Sequence, residues 1–400
     1  MRIASSTMYD PSVSAINRQQ AQLLKTQQQI SASRRVLTPS DDPIASSRAL
    51  EITQADSINT QYGANAQTAT GRLSLTEQML GRVTDVLQSI RQNAIAAGNG
   101  GFTASDRETV AQDIQAMYDE VMTVANTTDG EGNYLFSGFQ TDLKPFSPTA
   151  AGVQYLGDDG QRLVQVASGR QIAVSESGAD VFMRIRSGNA TFAVSAPPAN
   201  TGNATYSKGT VSDASAITRH QYQIVFSVVG TTTTYDVLDV SAGTTVAAAQ
   251  PYTSGAAIAF DGISLEVSGA PAAGDLVQID PSTDQDLFKT ISDLIAALKG
   301  PAGDTAALAR LQNALTDALI NLDQDLNNVS SVRAGVGTRM RETDDHQLAS
   351  EDLSLQYKQV LSHLQDLDYA KAVSDLLQQQ TNLQAAQKPS CNFDLDYTKG

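Results

Sequence analysis

An α + β fold is predicted, with a long antiparallel helical bundle built from both chain ends and an inserted β domain projecting laterally from it. Three observations predict it. Apolar residues recur at three- and four-residue spacing near both ends of the 400-residue chain. The stretch from about 145 to 282 alternates apolar and polar residues instead, which is the period of strands. The composition has no Trp and 6% aromatics, which suits long helices with small seam residues and a Thr/Gly/Ala-rich β region.

In the first helix Ile16, Leu23, Ile30 and Leu37 fall seven apart, the repeat of one coiled-coil position. The companion positions Gln20, Gln27 and Arg34 are polar, so only half an apolar seam exists. Four buried aliphatic side chains at ~1.5–3 kcal/mol each barely offset the ordering of such a helix. It is therefore expected to need partners. Thr38-Pro39-Ser40-Asp41-Asp42-Pro43 should end it, because Pro39 disfavours helix in the residue before it. Asp42 can then cap a second helix with Pro43 in its first position.

That second helix is expected to reach about Ala97 and stop at Gly98-Asn99-Gly100-Gly101. Leu80, Val83, Leu87 and Ile90 alternate by three and four and read as core of the single chain. Gly63, Gly71 and Gly81 cost helicity, so packing must compensate. Ser105-Asp106-Arg107-Glu108 reads as a capping box for a third helix through Val110, Ile114, Met117, Val121 and Val124.

Strands are expected at 162–166, 171–174, 223–229 and 235–240, separated by turn signals at Ser168-Gly169, Gly230-Thr231 and Asp261-Gly262. The Pro/Gly/Ser/Thr/Asn-rich stretch 196–216 reads as a long loop or lobe boundary. Helix returns with Leu287, Ile291, Leu294 and Leu298, closed by Gly300-Pro301. A further helix carries Leu308 to Val329, and a last one carries Leu353, Val360, Leu364 and Leu367 on to Leu377. Pro389 should break the last helix. The expected domains are a terminal coiled-coil region (1–42 with 347–400), a helical core (43–142 with 283–346) and the inserted β domain (143–282).

Several function classes are disfavoured. The 43 acidic against 27 basic residues, net charge −16, would be repelled by phosphate backbones, so no nucleic-acid partner is expected. No run of ~18 apolar residues exists, so no helix is expected to span a membrane. The single cysteine, Cys391, cannot form an intrachain disulfide or a thiolate cluster. The N-terminus lacks a signal-peptide apolar stretch, which implies a cytoplasmic protein or export without a cleaved signal. His220, His346 and His363 show no metal-ligand spacing. Asp284-Gln285-Asp286 reads as helix N-terminal charge and Asp323-Gln324-Asp325 as a solvated face. Gly335-Val336-Gly337 lacks the context of a nucleotide loop. No catalytic, cofactor or metal residue is assigned, and no enzyme activity is expected.

Four segments in order carry a family resemblance. Ser31-Ala32-Ser33-Arg34-Arg35-Val36 followed by Pro39-Ser40-Asp41-Asp42-Pro43 resembles the turn after the first helix in the flagellin superfamily. Asn133-Tyr134-Leu135-Phe136-Ser137-Gly138-Phe139-Gln140-Thr141 with Pro145-Phe146 is closer to the junction members of that superfamily than to filament flagellins. Phe260-Asp261-Gly262-Ile263 with Gly269-Ala270-Pro271-Ala272-Ala273-Gly274-Asp275, and Arg333-Ala334-Gly335-Val336-Gly337, are similar to later superfamily segments. The resemblance implies an extracellular structural adaptor between the flagellar hook and its filament. It further implies self-association in a ring, hook-associated protein 1 and flagellin as partners, a flagellar export chaperone, type III export without signal cleavage, and no cofactor. Residues 389–400 depart from the family pattern, which continues the last helix with apolar residues. The assembly interface is expected at Ile16, Leu23, Ile30 and Leu37, packing against Leu353, Val360, Leu364 and Leu367. The rival readings are a flagellin-like filament subunit and, from another class, a displayed enzyme or carbohydrate-binding module. The latter would need an acid/base cluster in the β region, where only turn aspartates stand.

Overall fold

The structure is a computed structural model that describes residues 6–150, 152–301 and 303–392. The chain divides into two compact units, one of residues 1–66 with 345–400 and one of residues 67–344. Among the described residues six α-helices carry both: α1 (Ser6–Ala32), α2 (Pro43–Ala97), α3 (Ala104–Ala125), α4 (Leu287–Lys299), α5 (Thr305–Gln365) and α6 (Tyr369–Asn392).

In the second unit α2 and α5 run antiparallel. Thr70 bonds Asp344 at 3.2 Å, Arg333 pairs with Glu77, and Arg91 donates to Asp323 at 2.7 Å. Leu80, Val83, Leu87 and Ile90 are fully buried, as their spacing predicts. Each such side chain contributes ~1.5–3 kcal/mol. Helix α3 packs against α4, where Tyr118 meets Phe288 edge-on at 5.9 Å. Phe146 and Phe182 join Phe288 at 5.5 and 6.0 Å, with Phe136 against Phe182 at 5.3 Å. The first strands, β1 (Phe146–Thr149), β2 (Gly152–Tyr155), β3 (Leu163–Ala167) and β4 (Arg170–Ala173), form two hairpins. A short π-helix (Ala179–Met183) follows, and it supplies Phe182 to the aromatic cluster.

The remaining strands are β5 (Ile185–Arg186), β6 (Phe192–Ser195), β7 (Thr205–Tyr206), β8 (Thr210–Val211), β9 (Tyr222–Val229), β10 (Thr232–Asp239), β11 (Thr244–Pro251), β12 (Ala257–Phe260), β13 (Ile263–Ser268), β14 (Leu276–Pro281) and β15 (Asp284–Gln285). Five form an antiparallel sheet in the order β11-β10-β9-β14-β6, and β12-β13-β7 form another. Phe192, Tyr222, Ile224, Phe226, Leu265 and Ile279 belong to the shared core. The alternation of β9 puts Tyr222, Ile224 and Phe226 on one buried face. Asp261 (φ +41°) and Gly262 (φ +78°) turn β12 into β13, the left-handed pair that a tight hairpin turn requires. The long-loop segment 196–216 contains β7 and β8, both paired to β13. The insert leaves and re-enters at one place, since β5 pairs with β15 and the Ser187 amide donates to the Thr283 carbonyl at 3.0 Å.

Several expectations are corrected. Helix α1 ends at Ala32, because Ser33 adopts φ +57° and the Arg34 amide closes on the Gln29 carbonyl. Leu37 therefore lies in a turn, off the helix. Helix α3 begins two residues early: Thr103 is the cap, accepting from the Asp106 amide while the Asp106 carboxylate accepts from the Thr103 amide. The two helices expected after Gly300-Pro301 are divided differently. Helix α5 is continuous to Gln365, and the break falls at 366–368, which puts Leu367 in a link. Gly335 and Gly337 do not interrupt α5, because fully buried Val336 and the bonded Arg333 and Arg339 hold that stretch down. Asp325 is 1% exposed and so does not belong to a solvated face. Helix α6 runs through Pro389 to Asn392, with the loss of one backbone bond confined to its final turns. The last eight residues of the atypical tail, 393–400, lie outside the described residues.

Candidate assembly surface

The unit made from the chain ends has an unusual interior. Among the described residues its buried apolar side chains are Ala45, Ala49, Ala66 and Ala372, whereas every buried Leu, Ile, Val and Phe belongs to the other unit. An alanine interior withdraws little area from water and contributes correspondingly little stability. Many of the large apolar side chains of this unit are exposed instead. Ile44 is 81% exposed and Leu50 70%, and Leu24, Ile58, Leu348, Leu355, Val373 and Leu377 are exposed as well.

Helix α1 packs on α6, and the Ser33 and Tyr369 hydroxyls meet where the two helices approach their connecting turns. The seam is half polar, as its pattern implies. Ile16, Leu23 and Ile30 are half-buried. Gln19 and Gln379 each keep a side-chain oxygen buried without a hydrogen bond from the described residues. An unmet buried acceptor costs ~1–3 kcal/mol, comparable to what one half-buried leucine returns.

The link between α1 and α2 is clasped to the link between α5 and α6. Arg34 and Asp366 form an antiparallel bridge. The Arg35 amide donates to the Gln365 carbonyl and its guanidinium to the Leu364 carbonyl, both at 2.8 Å. The same guanidinium pairs with Asp42 at 3.1 Å, and Asp42 caps α2 through the Ala45 amide at 3.0 Å. Lys25 pairs with Asp41 at 2.7 Å. That bond, with the Thr38 and Leu37 amides, holds the Asp41 carboxyl down at about 2. The Ala45 amide and then Arg35 lower Asp42. The clasp thus favours the charged form of both carboxylates.

A buried polar contact joins α2 to α5 in this unit. The Asn59 side-chain amide donates to the Ser350 carbonyl at 2.6 Å, and the Ser350 hydroxyl donates to the Asn59 carbonyl at 3.0 Å. Gly63 makes room for it, since a Cβ there would stand 3.0 Å from the Ser350 hydroxyl oxygen.

The structure brings part of the expected interface together. Leu364 and Leu367 sit at the clasp, with the Leu367 amide bonded to the Ser33 carbonyl, and Leu37 is half-buried in the facing turn. Leu353 and Val360 are exposed on α5, while α1 packs on α6. Sequence reasoning missed the outward stripes. Ile44 and Ile58 stand fourteen residues apart and Leu348 and Leu355 seven apart, a repeat visible in the sequence. It missed the Arg35 clasp because that contact is made across 329 residues. Among the described residues no group of acidic, histidine or cysteine side chains could hold a metal ion.

Two family models match separate stretches of the chain. Residues 3–141 match the model of the bacterial flagellin N-terminal helical region. Residues 196–281 match that of the flagellar hook-associated protein 1 D2-like domain. The chain is 29% identical over 389 residues to flagellar hook-associated protein 3 of Salmonella typhimurium, covering 97% of this chain and 95% of that protein. The crystal structure of flagellar hook-associated protein 3 from Legionella pneumophila superposes with a TM-score of 0.74 at 30% identity, covering 78% of this chain and 98% of that one. FlgL of Xanthomonas campestris superposes with a TM-score of 0.72 at 30% identity, covering 78% and 99%.

Proposed function

Since this chain belongs to the flagellar hook-associated protein 3 family, we propose that it is the structural subunit that joins the flagellar hook to the filament. A relative from Legionella pneumophila is described as the flagellar junction protein. The observation that carries the reading is the terminal unit, whose buried apolar side chains are alanines and many of whose leucines and isoleucines are exposed. Such helices gain their apolar burial from neighbouring subunits, and the ordering cost is met on assembly. The clasp at Arg35 presents those helices as a pair, which suits insertion into a helical lattice.

In the finer reading the subunits form a ring, with hook-associated protein 1 on the hook side and flagellin on the filament side. The chain reaches that extracellular position through the flagellar export channel, with an export chaperone and without a cleaved signal peptide. Ile16, Leu23, Ile30 and Leu364 line the lattice contact together with the outward-facing Ile44 and Leu50. What supports this is their partial or full exposure in the single chain.

Electron microscopy of a strain lacking the gene tests the junction role. Hooks without filaments, with flagellin recovered from the medium, are expected, and the wild-type gene should restore filaments. Normal filaments on the mutant would overturn the reading.

A further inference from the structure

The link between α2 and α3, Gly98-Asn99-Gly100-Gly101, holds the one asparagine of the chain that is followed by glycine. Asn99 and Gly100 are both exposed. The main chain is fixed on either side of them. The Asn99 amide donates to the Ala96 carbonyl at 3.1 Å, and the Phe102 amide donates to the Asn99 carbonyl at 3.2 Å. The Gly100 amide and the Asn99 side chain, by contrast, have no hydrogen-bond partner among the described residues. A Cβ at Gly100 or Gly101 would meet no atom within 4 Å, so the turn stands in open space.

We propose that Asn99 is a site of spontaneous deamidation, converted by its own neighbour and water to aspartyl and isoaspartyl forms. The Gly100 amide nitrogen gives its proton to hydroxide and attacks Cγ of Asn99. The bond from Cγ to the side-chain nitrogen breaks, ammonia leaves, and a five-membered succinimide remains. Water then opens the ring. Addition at Cγ restores the ordinary peptide bond and leaves aspartate. Addition at the main-chain carbonyl leaves the chain running through Cγ, as isoaspartate. Nothing is oxidised or reduced, and water is the sole co-reactant.

The selectivity follows from what surrounds the other candidates. Every other asparagine precedes a residue whose Cβ crowds the attacking nitrogen and narrows the backbone angles open to it. Asn59, Asn313 and Asn328 are also held by hydrogen bonds. The three Asp-Gly pairs could form the same ring by losing water, but their carboxylates are engaged. Asp129 accepts from the Glu131 and Asn133 amides, Asp159 pairs with Arg184, and Asp261 accepts from the Tyr222 hydroxyl.

The turn borders a cleft of about 400 Å³ that Arg107 also lines. Arg107 is 6% exposed, donates to the Phe102 carbonyl at 3.2 Å and has no ion-pair partner among the described residues. Conversion therefore adds a negative charge to a cleft whose positive charge has no paired carboxylate. The isoaspartyl form also lengthens the link between α2 and α3 by one main-chain carbon.

Incubation of the full chain in mildly alkaline buffer for several days, followed by proteolysis and mass spectrometry, tests the proposal. The peptide holding Asn99 should gain the mass of an amide-to-acid exchange and split into two products, the isoaspartyl one accepting a methyl group from an isoaspartyl methyltransferase. Peptides holding the other asparagines should keep their mass. Gly100→Ala should slow the conversion by about tenfold, since the added Cβ hinders the attack. That variant fits the fold, because Gly100 lies in open space and outside the left-handed region. An Asn99 peptide of unchanged mass overturns the proposal. So does conversion of another asparagine at the same rate, or an undiminished rate in Gly100→Ala.

Discussion

Arg35 binds Leu364 through its guanidinium at 2.8 Å, tying the turn after the first helix to the end of the longest one. Because the same guanidinium pairs with the Asp42 cap of α2, one side chain organises three helix ends. Arg35→Ala should loosen both links together. Hydrogen exchange at 33–37 and 364–368 is expected to rise by roughly tenfold, with the core of residues 67–344 unchanged. Arg35→Lys should recover little, because an ammonium cannot serve carbonyl and carboxylate in the same plane.

Leu23 and Leu87 should separate assembly from stability. Leu87 is fully buried, so Leu87→Asp should cost several kcal/mol and lower the melting temperature of the isolated subunit. Leu23 is half-buried beside a polar seam, so Leu23→Asp should barely move that melt yet abolish motility. An equal loss of melting temperature in both variants would place α1 in the cooperative core and end the assembly reading of this seam.

How much of this was legible in the sequence varies with the kind of contact. The stripe of Leu80, Val83, Leu87 and Ile90 and the hairpins around Gly230 and Asp261-Gly262 were readable, because local periodicity and turn chemistry determine them. The break at 366–368 was not. It contains neither Pro nor Gly, and it depends on bonds to Ser33, Arg34 and Arg35 that only the folded chain supplies. The polar side chains of α5 that hold the insert, Asn313, Asp317 and Asn321, resemble a solvated face in sequence, since Asn and Asp at helical spacing usually meet water. Asp325 was misread for the same reason.

Asp325 gives a prediction of opposite sign to the usual one for acids. It lies beneath α4 near Thr290 and Asp286, with one carboxylate oxygen unpartnered among the described residues. Burial raises its pKa well above the ordinary value. The native state therefore keeps a proton that the unfolded chain releases, and stability falls as pH rises above about 4. Asp325→Asn should leave the melt unchanged near pH 4, raise it by on the order of 3 °C near pH 8, and flatten the slope between. A loss at pH 8 would show that the carboxylate has a partner worth more than its burial costs.

The insert should be separable at the point where β5 meets β15. Deleting 188–282 and joining Ser187 to Thr283 by a short linker should leave a folded helical core, because those residues already bond each other at 3.0 Å. Deleting from 147 should fail, since that removes Phe182 from the cluster around Phe288. Circular dichroism melts of the two deletions compare them directly.

The alanine interior of the terminal unit has a consequence for sliding. Large interlocking side chains fix one helix against another by shape, and a face of Ala45, Ala49 and Ala66 offers almost no shape. Two such helices could shift by a turn along each other and lose few contacts. The reciprocal bond between Asn59 and Ser350, which can be satisfied at one setting alone, opposes such a shift here, as the Thr70–Asp344, Glu77–Arg333 and Arg91–Asp323 contacts do farther along the same helices. In this half of the molecule a buried polar pair thus does for the setting of α2 against α5 what interlocking leucines do farther along.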